Sequence, residues 1–109
     1  MTHAVLIASA PSSDLHRNAK SLCEALSQKN ELSLVYFVGE AVLITQPSYA
    51  ITLEGWLAIA RERPVQLWVC SGSMSTQPTR DLPTEIDIVG HASWVEESQK
   101  ATRILSFPA

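Results

Sequence analysis

Cys70 is the residue whose type and position best suit chemistry. It ends an apolar run at residues 65–70, which follows Pro64 and is typical of a buried strand. The end of such a strand lies at the carboxyl edge of a sheet, where open α/β folds place their ligands. A helix beginning just after Cys70 would lower the pKa of the thiol through its free N–H groups. The position predicts a reactive thiolate; the alternative is core packing, because free cysteines are often buried.

The other candidate residues have simpler explanations. Cys23 lies on the apolar face of a predicted helix, so we expect it to be buried and inert. The two cysteines have no paired spacing, which predicts neither a disulfide framework nor a zinc site. The histidines His3, His16 and His91 are isolated and provide no metal-ligand spacing. We expect His16, near the start of that helix, to be exposed to solvent.

The loop at residues 9–13 lies between a predicted strand and a predicted helix, where a helix amino terminus can hold an anion. It contains no glycine, so it is neither a dinucleotide fingerprint nor a P-loop. Ser12 or Ser13 is better explained as a helix cap. A small-anion or nucleotide binder using these serines is therefore a minor hypothesis.

Composition narrows the class of protein. The chain has 109 residues, 46% hydrophobic content, 17% charged residues and a net charge of −3. No basic stripe is interleaved with aromatic residues, so nucleic-acid binding is not expected. The amino-terminal segment lacks the positive region of a signal peptide and is too short for a membrane span. We expect a cytoplasmic protein with reduced cysteines and no membrane association.

The hydrophobic pattern predicts alternating strands and helices. Strands are expected at residues 3–9, 32–38, 65–70, 85–89 and 103–107, and helices at residues 14–29, 53–63 and 91–101. Thr52 and the pair Ser93 and Glu96 are the expected N-terminal caps of the last two helices. A short or irregular helix is expected after Cys70.

The segment at residues 39–51 has no assigned conformation. Its apolar side chains could fill the core or form exposed area that another subunit covers; they are Val42, Leu43, Ile44 and Tyr49. The nearly continuous apolar strands predict a mostly parallel sheet. The expected architecture is a single-domain α/β/α sandwich of about five strands, spanning residues 1–109.

In the order and spacing of these pieces the chain resembles the DsrE family of sulfur-relay proteins, which includes the D and C subunits of the Tus complex. The matching segments are residues 4–11, residues 34–37 with 39–42, residues 67–70 and residues 102–107. The resemblance spans nearly the whole chain. It departs from the family after Cys70, where Ser71, Gly72 and Pro78 replace a more regular helix and Arg80 matches a basic position only loosely.

This resemblance implies a small α/β sandwich that assembles into homo- or hetero-oligomers, often hexamers. It also implies that Cys70 carries sulfur as a persulfide, receiving it from a donor protein and passing it to an acceptor protein. Such exchange depends on the thiolate fraction and on access to the sulfur, and it uses no metal or organic cofactor. The leading hypothesis is thus a sulfurtransferase subunit or sulfur carrier. The alternative is a non-catalytic oligomeric scaffold with the same fold.

Overall fold

All five predicted strands are present and pair in parallel. A computed structural model describes residues 1–74 and 81–109. The strands are β1 (His3–Ile7), β2 (Leu32–Phe37), β3 (Gln66–Cys70), β4 (Ile86–Val89) and β5 (Arg103–Phe107). They form one sheet in the order β4-β3-β2-β1-β5. The predicted α/β sandwich with a parallel sheet is therefore confirmed.

The helices follow the expected alternation. They are α1 (Asp14–Gln28), α2 (Ala50–Glu62), α3 (Ser71–Met74) and α4 (His91–Ser98). The short helix expected after Cys70 begins at Ser71, while the rest of that prediction, including Pro78 and Arg80, falls at residues 75–80, outside the described part of the chain. None of the helices in residues 1–74 and 81–109 has the length and apolar character needed to span a bilayer.

The segment left unassigned forms two 3-10 helices, Gly39–Thr45 and Pro47–Tyr49. Val42 and Ile44 are buried in the core, whereas Leu43 and Tyr49 are partly exposed. The core-filling alternative is thus correct for the two buried residues.

Side-chain alternation along the strands gives the sheet two different faces. One face packs Val5, Val35 and Leu67 against α1 and α2. The other packs Tyr36 and Trp68 with Trp94 of α4 and other side chains. Right-handed crossovers explain this division. The strands β1, β2 and β3 follow one another in one direction across the sheet, so α1 and α2 pack on one face. The connection through α4 runs in the other direction, from β4 at one edge to β5 at the other, so α4 packs on the second face.

Two predicted caps are wrong. The helix α2 begins at Ala50, before Thr52, because the preceding 3-10 turn leads directly into it, and no side chain caps its start. In α4 the N-cap is Gly90, again without a side-chain bond, because the chain enters the helix directly from β4. Ser93 therefore lies inside the first turn and cannot form a capping box with Glu96.

The ends of α1 are specified by its own residues. At the start, Ser13 Oγ accepts a hydrogen bond from the His16 N–H at 3.2 Å. At the end, Asn30 has a positive φ of 58°. Its N–H donates to the Ser27 carbonyl, and the Glu31 N–H donates to the Leu26 carbonyl at 2.8 Å. These two bonds form a Schellman motif, in which a left-handed residue ends the helix.

Substitutions at Asn30 test this helix end. We expect Asn30→Ala to lower the free energy of unfolding by about 1 kcal/mol, because a Cβ without a local polar partner disfavours the left-handed conformation. Asn30→Gly should preserve or raise stability. The control is Lys29→Ala, at a position with an ordinary φ of −93°, and the measurement is urea unfolding. Equal stability of the alanine and glycine variants at position 30 would contradict this account.

His16 is buried, so the expectation that it is exposed is wrong. The ring lies between Phe37 and Trp56, with centroid distances of 6.1 and 5.8 Å. Its Nδ1 is 3.0 Å from the Ser9 carbonyl oxygen, which can only accept, so Nδ1 carries the hydrogen. Its Nε2 accepts from the Trp56 indole N–H at 3.1 Å. The neutral ring is thus fully hydrogen-bonded in the core.

This arrangement predicts a pH dependence of stability. Burial lowers the pKa of His16, against the opposing effect of the Ser9 hydrogen bond. As the pH falls below about 6.5, the unfolded chain therefore binds a proton that the folded protein does not, and the free energy of unfolding decreases. Urea unfolding between about pH 7 and 5 should show this slope.

The matched variants are His16→Asn and His91→Asn. The first replaces the buried ring by an amide that does not titrate and should flatten the slope, although it lowers stability at every pH. The second replaces an exposed histidine and should leave the slope due to His16 intact. An unchanged slope in His16→Asn would show that other groups cause the pH dependence.

Candidate functional site

Cys70 is the last residue of β3, at the carboxyl edge of the sheet. Its strand lies between β2 and β4, and Cys70 is paired with Val89 of β4. The chain enters α3 immediately afterwards, at Ser71. The Cys70 side chain is partly exposed and packs against the aromatic cluster beneath α4. The structure thus places Cys70, partly exposed, at the expected edge of the sheet.

Tyr36 belongs to this site, although its position along the sequence does not indicate a role there. It is paired with Trp68 on the neighbouring strand, so it lies on the same face of the sheet as Cys70. Its hydroxyl donates to the Val89 carbonyl of β4 at 3.0 Å. Because β3 lies between β2 and β4, the phenol reaches across the end of β3, where Cys70 is located. A hydrogen bond from this hydroxyl is one of the causes that lower the pKa of the Cys70 thiol.

Aromatic rings hold the Tyr36 ring in place. Trp94 stacks on it at a centroid distance of 5.4 Å, and Trp68 meets it edge-on at 6.2 Å. His91, the first residue of α4, lies at 5.9 Å in a tilted arrangement. These contacts, together with full burial of Tyr36, fix the position of its hydroxyl oxygen.

Ser73 of α3 is a second residue that lowers the pKa of the Cys70 thiol. Its Oγ accepts a hydrogen bond from the Gly39 N–H at 2.9 Å, which leaves the hydroxyl hydrogen available for Cys70. Hydrogen bonds from the backbone N–H groups of Gly72 and Ser73 also act to lower the pKa of the thiol. Gly39 has a positive φ of 54°, so the turn after β2 brings its N–H to Ser73 in a conformation that suits glycine.

These contacts favour the ionised form of the thiol. Burial alone would raise the pKa of Cys70, but the hydrogen bond from Tyr36 and those from Ser73 and Gly72 outweigh it and lower the pKa. The same surroundings act in the opposite direction on Tyr36: burial first, and then the interaction with Cys70, raise the pKa of its phenol. The site therefore favours the thiolate form of Cys70 and the neutral form of Tyr36.

Two exposed residues, Ser71 and Gly72, follow Cys70. A Cβ placed on Gly72 would lie 3.8 Å from the Cys70 sulfur, in van der Waals contact with it. Glycine at this position therefore places no side chain against the sulfur.

The other candidates do not join this site. Cys23 is fully buried between α1 and the sheet, as predicted, and burial raises the pKa of its thiol to about 12. His3 contacts the Glu31 carbonyl on the amino-terminal side of the sheet. Within residues 1–74 and 81–109, no group of three or more His, Cys, Asp or Glu side chains could hold a metal ion.

The first loop is used for capping. Ser13 accepts from the His16 N–H and donates its hydroxyl to the Ala10 carbonyl at 2.7 Å. Ser12 lines a groove of about 520 Å³ between α1 and α2, together with Arg17 and Lys20. This groove lies on the sheet face opposite Cys70, so the two features are separate.

Comparison with known proteins supports the fold. Neither a family model nor a curated protein matches the chain. Among solved structures, the crystal structure of the ychN protein from E. coli matches with a TM-score of 0.76 and 20% sequence identity. The match covers 98% of this chain and 100% of that one. The two chains share a fold. At this identity the similarity extends to the fold alone.

The contrast between the two cysteines predicts selective alkylation. Under native conditions at pH 7, iodoacetamide should modify Cys70 and leave Cys23 intact, because only the first is accessible and has a lowered pKa. Peptide mass spectrometry identifies the modified residue. Cys70→Ser should react only after denaturation, whereas Cys23→Ser should react like the wild type. Equal labelling of both cysteines in the folded protein would contradict this assignment.

Proposed function

We propose that this protein is a DsrE-like sulfur-relay protein that carries sulfur as a persulfide on Cys70. The observation that carries the proposal is a partly exposed thiol at the carboxyl edge of the sheet, hydrogen-bonded so that its thiolate is favoured. The similarity in fold to the ychN protein is consistent with the family-like order of elements in the sequence. A thiolate is the form that attacks sulfur.

Sulfur loading is a thiol exchange at the outer sulfur of a donor persulfide. The Cys70 thiolate attacks that sulfur, a new S–S bond forms to Sγ, and the old S–S bond breaks. The electron pair of the broken bond leaves with the donor sulfur, which departs as a thiolate. One S–S bond replaces another, so no external oxidant or reductant is consumed.

Sulfur release reverses the roles. An acceptor thiolate attacks the outer sulfur of the Cys70 persulfide, and Cys70 leaves as a thiolate. The hydrogen bonds that lower the pKa of Cys70 also make it a better leaving group. In this proposal the donor and acceptor are cytoplasmic proteins, and the carrier works within a homo- or hetero-oligomer.

Mass spectrometry of the intact protein tests the carrier role. After incubation with a persulfide donor, such as glutathione persulfide, the wild type should gain the mass of one sulfur atom, and a thiol reductant should remove it. Cys70→Ser should gain nothing, because it lacks the nucleophile. Cys23→Ser is the matched control and should load like the wild type, because Cys23 is sealed in the core.

Two results would contradict the proposal: no added sulfur on the wild type, or the same addition on Cys70→Ser. Either would favour the alternative of a non-catalytic scaffold. A scaffold further predicts that Cys70→Ala leaves the sedimentation behaviour and partner binding unchanged.

A further inference from the structure

We propose that Tyr36 is a positioning residue whose phenolic hydrogen moves between two acceptors, the Val89 carbonyl oxygen and the Cys70 sulfur, as Cys70 gains or loses negative charge. Its role in sulfur transfer rests on the function proposed above. The hydrogen-bond exchange itself is a property of the folded protein and can be measured without any sulfur donor.

The geometry gives one hydrogen two possible acceptors. The Tyr36 hydroxyl lies 3.0 Å from the Val89 carbonyl oxygen, and the pairing of Cys70 with Val89 brings the Cys70 side chain to the same end of β3, on the sheet face that carries Tyr36. A phenol has a single hydrogen, so it can donate to only one of the two at a time. A carbonyl oxygen cannot donate in return, whereas a thiol can donate its own hydrogen to the phenol oxygen.

Two hydrogen-bond patterns follow. With Cys70 as a thiol, the S–H donates to the Tyr36 oxygen and Tyr36 donates to Val89. With Cys70 as a thiolate, the phenol turns its hydrogen to the sulfur. The Val89 carbonyl then loses this one donor, but the negative sulfur gains one, and hydrogen bonds to charged groups are the stronger kind. The exchange therefore favours the thiolate.

The movement needed is small. The ring of Tyr36 is buried and held by Trp94 and Trp68, so only the C–O bond has to rotate. Pairing of Cys70 with Val89 places both acceptors at the same level of the sheet. Among the described residues, the titratable groups on this side of the sheet include His91, against the Tyr36 ring, Asp87, which is paired with Trp68, and the Glu97–Lys100 ion pair at the end of α4.

For sulfur transfer, this exchange acts at the release step. The S–S bond between Sγ of Cys70 and the outer sulfur breaks as negative charge develops on Sγ. The phenol then donates its hydrogen to that negative sulfur. The Tyr36 hydroxyl thus donates its hydrogen bond to the Val89 carbonyl while Cys70 carries the outer sulfur. It donates to Cys70 when that sulfur leaves.

The test measures the rate of Cys70 alkylation by iodoacetamide as a function of pH. Tyr36→Phe removes only the hydroxyl, and we expect the midpoint of the rate profile to rise by about one pH unit, as for the loss of one hydrogen bond to a charged group. The control is Tyr49→Phe, since Tyr49 lines the groove on the opposite sheet face; its midpoint should match the wild type. Both variants are checked for folding by circular dichroism.

A second measurement keeps the proposal testable if Tyr36→Phe unfolds. The chain has two tyrosines, so 3-fluorotyrosine incorporated into Tyr49→Phe labels Tyr36 alone. The more acidic phenol is a stronger donor and should lower the alkylation midpoint. If the Tyr36 hydroxyl only holds β4 in place through its bond to Val89, neither Tyr36→Phe nor 3-fluorotyrosine moves the alkylation midpoint. That result would show the proposal to be wrong.

The outcomes for the two proposals are separable. A shifted midpoint with no sulfur loading on the wild type would retain the hydrogen-bond exchange and reject the carrier function. Normal loading with unshifted midpoints would retain the carrier and reject the exchange. If both hold, Tyr36→Phe should still load sulfur but release it to a small acceptor thiol several-fold more slowly, because a thiol of higher pKa is a poorer leaving group.

Discussion

Parallel pairing of β2, β3 and β4 is the constraint on which the site depends. Parallel strands end at the same edge of a sheet, so the residues that close each strand meet there whatever their separation in sequence. Pairing of Cys70 with Val89 and of Trp68 with Tyr36 places the thiol, the carbonyl and the phenol side by side. A shift of one residue in β3 would turn the Cys70 side chain to the other face and away from Tyr36.

The two faces of the sheet give the two cysteines opposite chemistry. Cys23 lies under α1 among apolar side chains, where burial and the Glu24 carboxylate outweigh the opposing effect of Lys20 on the pKa of the thiol. Cys70 lies at the carboxyl end of the other face and is partly exposed. Burial disfavours the charged form at both positions, but at Cys70 the hydrogen bonds from Tyr36, Ser73 and Gly72 reverse its effect.

Much of the fold could be predicted from the sequence, because strand burial and helix periodicity are local patterns. The strand at Arg103–Phe107 has the predicted bounds, and the predicted α1 differs from the observed helix by one residue at its end. The caps of α2 and α4 could not be predicted, since the neighbouring turn and strand determine where each helix begins. The burial of His16 was missed because its partner Trp56 lies on another helix.

The candidate site was predictable only in part, because its residues come from elements that are distant in the sequence. Cys70 follows from one apolar run, but Tyr36 and Ser73 act on it through strand pairing and through the turn at Gly39. Tyr36 could have been found by aligning the ends of the predicted strands, which places it beside Trp68.

Topology also bears on the kind of partner that suits this site. In open α/β sheets a ligand crevice forms where the strand order reverses, which here is between β1 and β5. Cys70 ends β3, two strands from that point, and the grooves of about 520 and 270 Å³ lie between α1 and α2 on the other face. Under the function proposed above, exposed Ser71 and Gly72 beside the thiol are the residues that a partner protein would meet first.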